Sequence, residues 1–178
     1  MDTKPSEPLT VRNITVLGSG IMGHGIAQVS AMAGYNVVLR DIEQQFLDKA
    51  MEKIRWSLEK LVTKEKISKQ ESESILSRIK TIVDLKEAVR SADMVIEAVP
   101  EIMELKKKVY AELDQVADKR IVFASNTSTL PITEIANTTS RPDKFIGIHF
   151  FNPPQLMKLV EVIPGQKTDQ QLVNLTVD

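Results

Sequence analysis

His149 and Glu161 stand 12 residues apart, with Asn152, Pro153 and Pro154 between them to break an extended course. A chain reversal centred near Gln155 would bring the imidazole to the carboxylate. That contact fixes the ring tautomer and stabilises the imidazolium that a general base becomes when it removes an alcohol proton, so the pair suits alcohol oxidation by hydride transfer. The same residues could also form a wider loop, with His149 a satisfied buried histidine. Three polar clusters each follow an apolar run: Glu97-Ala98-Val99-Pro100-Glu101, Ser125-Asn126-Thr127-Ser128 and His149-Phe150-Phe151-Asn152-Pro153. Taken singly, Glu101 could be a helix-start carboxylate and Ser125 to Ser128 a capping turn. Taken together, the clusters would face one crevice, because ligands of open α/β sheets bind beyond the carboxyl ends of the strands.

A glycine turn marks that crevice independently. After the apolar run Ile14 to Leu17 come Gly18-Ser19-Gly20-Ile21-Met22-Gly23 and then Gly25-Ile26-Ala27, which reads as strand, turn and helix. Gly18 permits the tight turn, Gly20 lets the backbone approach a pyrophosphate, and Gly23 allows close helix-to-strand packing. Glycine turns also arise for structural reasons alone, so the second strand carries weight. It ends in Asp41, 23 residues after Gly18, close to the roughly 20 expected for a carboxylate that accepts hydrogen bonds from the adenosine ribose. That carboxylate would repel a 2′-phosphate, which favours NAD over NADP, although Arg40 beside it could pair with the extra phosphate. His24 reads as a surface histidine on the first helical turn rather than a ligand contact.

The elements that must position these groups alternate. Strands are expected at Ile14–Leu17, Val37–Arg40, Ile79–Val83, Met94–Glu97, Ile121–Ala124, Phe145–His149 and Lys158–Ile163, with helical segments between them. This predicts an α/β fold, a doubly wound and mainly parallel sheet. Leu47, Ala50, Met51, Ile54, Leu58, Leu61 and Val62 recur at helical spacing. That long helix and the segment Ile67 to Ser77 are expected to project as a charged helical hairpin insertion. A further helix, opened by Pro100 and Glu101 at its first turn, is expected to carry Ile102, Leu105, Val109, Leu113 and Val116 at helical spacing.

Composition excludes other chemistries. The 178 residues, 42% hydrophobic, suffice for one domain with a buried core. With 23 basic against 24 acidic residues, a nucleic-acid-binding surface is not indicated. No cysteine and only two histidines argue against a thiolate nucleophile or a metal site. No apolar run approaches the roughly 20 residues of a membrane span. Residues 1–10 resemble neither a signal peptide nor a transit peptide and read as a flexible leader to a domain over 11–178. The expectation is a soluble, intracellular, cytoplasmic protein.

The motifs together, with Lys158-Leu159-Val160-Glu161-Val162-Ile163, resemble the L-3-hydroxyacyl-CoA dehydrogenase family from about Val11 to Ile163. The resemblance implies NAD-dependent oxidation of an L-3-hydroxyacyl-CoA to the 3-ketoacyl-CoA, in fatty-acid β-oxidation or its reverse. It implies His149 as base, Glu161 as its orienting carboxylate and Ser128 as a contact to substrate oxygen and cofactor. Asp41, Ala98, Glu101, Lys106 and Asn152 fall where family members contact NAD. Ser57 and Lys64 align with positions that hold the CoA moiety. Family members continue into a helical domain that closes the cleft and makes most of the dimer contact. Its absence here would leave NAD binding but poor turnover. A non-catalytic NAD-binding module and a Rossmann dehydrogenase of small hydroxy acids are the competing readings.

Overall fold

Apolar β-rich runs form strands here because the layers on either side bury both of their faces. A computed structural model describes residues 10–177, so the leader expected over 1–10 lies, except for Thr10, outside the described residues. The order along the chain is β1 (Asn13–Leu17), α1 (Gly23–Met32), β2 (Asn36–Arg40), α2 (Gln44–Thr63), α3 (Lys69–Ser77), β3 (Ile79–Ile82) and α4 (Leu85–Val89). Then follow β4 (Met94–Glu97), α5 (Met103–Val116), β5 (Val122–Ser125), α6 (Ile132–Ala136), β6 (Phe145–Phe150), β7 (Val160–Pro164) and α7 (Gln170–Val177).

One seven-stranded sheet results, in the order β3-β2-β1-β4-β5-β6-β7. The first six strands are parallel, and β7 alone runs antiparallel, against β6. This is the doubly wound Rossmann arrangement, with its strand order reversing between β1 and β4. Side chains alternate between two cores. Met94 and Ile96 of β4 face α1, α2 and α3, while Val95 faces Tyr110 and Leu113 of α5 and Ile135 of α6.

Two differences from the sequence expectation have physical causes. The hairpin α2–α3 does not stand free. Leu47, Ala50, Ile54, Leu58 and Ile75 are buried in the main core, so it serves as the crossover from β2 to β3. Ser68 starts its second arm with a reciprocal capping box to Glu71. The second difference is at α5, which begins at Met103, leaving Pro100 and Glu101 ahead of it in the preceding loop. Its buried face is Lys106, Tyr110 and Leu113, whereas Ile102 is 57% exposed. The helix can be rotated this way because both buried polar tips have partners: Lys106 Nζ meets Glu97, and the Tyr110 hydroxyl donates to the Ala124 carbonyl at 2.8 Å. Leu105 and Val109 are thereby turned toward a crevice at the carboxyl ends of the strands. Among the described residues, no helix is long and apolar enough to cross a membrane.

Candidate active site

The glycine turn leaves β1 at Gly18, whose φ of +91° lies in the left-handed region that side chains rarely adopt. A Cβ there would come within 2.8 Å of the Ala98 carbonyl oxygen, and one at Gly23 would overlap the Gly18 carbonyl. At Gly20 nothing lies within 4 Å of such an atom, which is where a diphosphate needs room. No side chain caps α1 and its first turn holds no acid, so its positive end is left for an anion. His24, half-buried, donates from Nδ1 to the Gly20 carbonyl at 2.6 Å, bracing the turn from behind.

Asp41, just past β2, accepts from the Ser19 amide at 2.7 Å and the Ser19 hydroxyl at 2.6 Å on one oxygen, and from the Ile42 amide at 2.7 Å on the other. Its carboxylate is thus fixed beside the turn. Arg40 also lines the crevice beside it, with its Nε donating to the Val83 carbonyl at 3.0 Å. Gly18, Gly20, Asp41, Ala98, Glu101, Ser128, His149 and Asn152 all line one crevice of about 980 Å³.

On the far side of that crevice β6 and β7 bring the His149 imidazole to the Glu161 carboxylate. His149 and Glu161 are direct cross-strand partners, so their side chains share one face. His149 Nδ1 lies 2.8 Å from Glu161 Oε2, and the imidazole packs against Phe151 with ring centroids 4.6 Å apart. With Nδ1 engaged, Nε2 is the ring nitrogen that can take a proton. The Phe150 amide donates to Asn126 Oδ1 at 2.9 Å, joining the end of β6 to the turn after β5.

A family model for the 3-hydroxyacyl-CoA dehydrogenase NAD-binding domain matches residues 13–178. The chain belongs to this family, as its NAD-binding domain. It is 42% identical over 178 residues to the mitochondrial hydroxyacyl-coenzyme A dehydrogenase of Sus scrofa, covering 97% of this chain and 57% of that protein. To the 3-hydroxybutyryl-CoA dehydrogenase of Clostridioides difficile it is 45% identical over 157 residues, covering 88% of this chain and 56% of that one. The crystal structure of (S)-3-hydroxybutyryl-CoA dehydrogenase from Ralstonia eutropha superposes with a TM-score of 0.91 at 39% identity, covering 94% of this chain and 59% of the other. The chain therefore spans little more than half the length of these relatives.

The residues of this NAD-binding domain fit the cofactor: open backbone at Gly20, a fixed ribose-side carboxylate at Asp41, and a positive helix end between them. Five sequence-expected residues do not line the crevice: Gly23 packs against the turn, Glu161 backs His149, and Lys106, Ser57 and Lys64 lie elsewhere. Lys106 is 1% exposed, its ammonium 2.6 Å from Glu97 and 3.2 Å from Glu101, beneath the crevice wall rather than on it. Ser57 accepts from the buried Gln28 amide at 3.0 Å, and Lys64 is exposed at the carboxyl end of α2. Neither lines the crevice, because α2 turns its amino-terminal half toward it. The lysines that do line it are Lys49 and Lys53, which the sequence analysis did not single out. Their spacing of four beside the buried Ala50 was the only hint.

Glu101 is the most perturbed acid of the crevice. Burial pushes its carboxyl upward, but the Thr127 hydroxyl at 2.5 Å, the Ser128 amide at 2.9 Å and the Lys106 charge outweigh this and hold it down to about 2. It is an anion at any working pH.

Proposed function

We propose that this domain holds NAD across the mouth of the sheet and oxidises the 3-hydroxyl of an L-3-hydroxyacyl-CoA to the ketone, or catalyses the reverse. The observation that carries the reading is the 2.8 Å contact between His149 and Glu161 in register across β6 and β7, on the crevice that the glycine turn opens. When bound, NAD supplies the acceptor for the hydride leaving the carbinol carbon. The residues of the chain do the rest. Turn amides and the α1 terminus hold the diphosphate, while Asp41 accepts ribose hydroxyls. His149 takes the hydroxyl proton at Nε2 as the C–H bond breaks, and Glu161 stabilises the imidazolium so formed. Ser128, anchored to Glu101 through its amide at 2.9 Å, offers its hydroxyl to the substrate oxygen.

The substrate class belongs to the same proposal, with Ser57 and Lys64, which do not line the crevice, as contacts for the CoA moiety. Also proposed are a cytoplasmic location and dimerisation through residues other than these. These residues by themselves are expected to bind NAD yet turn over hydroxyacyl-CoA poorly, because among the described residues the crevice that His149 lines is open to solvent and turnover needs water excluded. In the assembled enzyme, His149→Gln should lower NADH production from 3-hydroxybutyryl-CoA by about 10²- to 10⁴-fold. Unchanged activity would leave only a non-catalytic NAD module. Turnover of free 3-hydroxy acids as readily as their CoA thioesters would instead overturn the substrate class.

A further inference from the structure

Trp56 is the one tryptophan of the chain, and it belongs to neither hydrophobic core. It stands on α2 with 59% of its surface exposed, although so large an apolar ring gains most from burial. The ring is braced, because Lys60 Nζ sits 3.4 Å from its centroid. Along the helix Lys49, Lys53, Trp56, Lys60 and Lys64 follow one another at steps of three and four, which puts them on one flank. Lys49 and Lys53 line the crevice, so this row leads from the crevice to the carboxyl end of α2. None of its four lysines is in an ion pair among the described residues. Like charges at i and i+4, as in Lys49 with Lys53 and Lys60 with Lys64, weaken a helix, and a bound anion would offset that cost. Ser57, beside Trp56, accepts from the buried Gln28 amide at 3.0 Å, which leaves its own hydroxyl hydrogen for an acceptor outside.

We propose that Trp56 is a specificity-determining residue, whose exposed ring stacks on the purine of the CoA nucleotide while the lysines on either side of it meet the phosphates. Stacking on an aromatic ring uses the flat face of a base. Trp56 therefore reads the presence of a nucleotide at the far end of the thioester and is indifferent to the acyl group. The enzyme thereby favours a CoA thioester over the same acyl group on a shorter thiol. This rests on the reading above, in which the CoA moiety lies along α2.

The test compares the assembled enzyme with its W56A and W56F variants on two substrates that share one acyl group: 3-hydroxybutyryl-CoA, and the 3-hydroxybutyryl thioester of N-acetylcysteamine, which lacks the nucleotide. W56A should raise KM for the CoA ester roughly tenfold at unchanged kcat, as loss of a stacked base implies. W56F, which keeps a smaller ring, should raise it less. Neither variant should alter KM for the short ester. At saturating NAD, adenosine 3′,5′-bisphosphate should compete with the CoA ester, and its inhibition constant should rise in W56A by the same factor. Equal KM rises for both esters, no rise for either, an unchanged inhibition constant, or a W56A enzyme that does not fold would each overturn the proposal. A wild-type enzyme with equal kcat/KM for the two esters would overturn the CoA reading itself, and this inference with it.

Discussion

Glu97 and Lys106 meet at 2.6 Å with side chains 0% and 1% exposed, whereas His149 and Glu161 meet at 2.8 Å with side chains 16% and 49% exposed. Each is an acid–base pair at the carboxyl end of the sheet, yet the two are built for opposite purposes. A dry pair cannot change its charge without stranding its partner, so it fixes geometry. A half-wet pair can gain or lose a proton at modest cost, so it can do chemistry. The crevice is bordered by both kinds: a buried pair held by several partners and a pair open to solvent.

Perturbing the two pairs should separate these roles. The largest effect is expected for Lys106→Met alone, which leaves the Glu97 charge without its main partner and should cost about 3–5 kcal/mol in denaturant unfolding. A near-neutral result would mean that the buried pair is not the anchor described. Next, Glu161→Gln in the assembled enzyme should lower kcat about 10- to 100-fold with little change in NAD affinity, because one charge-assisted hydrogen bond to the base is lost. A change confined to KM would argue that Glu161 does not orient His149. Smaller again, Tyr110→Phe should cost about 1 kcal/mol, since it removes a buried hydroxyl bonded to the Ala124 carbonyl. It tests whether the polar tips under α5 matter singly.

The smallest effect is electrostatic. Glu101 is held to about 2, below its unfolded value, so the stability it contributes is complete above the ordinary carboxyl range and disappears as pH falls from about 4.5 toward 2. Its side chain is 38% exposed, and solvent screening keeps the contribution small. Glu101→Gln should flatten the acid limb of unfolding in that window, and an unaltered limb would show that the carboxylate is not held as described.

The half-wet pair was legible in the sequence and the dry one was not. His149 and Glu161 are close along the chain, and proline and asparagine between them announce a reversal. Glu97 and Ser125 are 28 residues apart, and nothing local to either says that the strands carrying them are neighbours. The parallel sheet and the glycine turn could be read because short continuous apolar runs and glycine chemistry are local signals. The face of α5 could not, because Lys106 and Tyr110 count as outward-facing until their partners on β4 and β5 are known. The five-residue helices α4 and α6 are likewise too short for periodicity to show. Ser57 and Lys64 rest on resemblance, whereas Lys49 and Lys53 emerge only once α2 is docked on the core.

The single antiparallel strand at the sheet edge has an evolutionary consequence. Because β6 and β7 are joined by a loop over residues 151–159, a change in that loop's length leaves His149 and Glu161 facing one another, provided their cross-strand pairing is kept. A single residue inserted inside β7 ahead of Glu161 is different, since strand side chains alternate with a parity of two and the carboxylate would emerge on the opposite surface. Variation in length among descendants of this hairpin should therefore collect in its tip, while its arms, which carry His149 and Glu161, should not change by odd lengths.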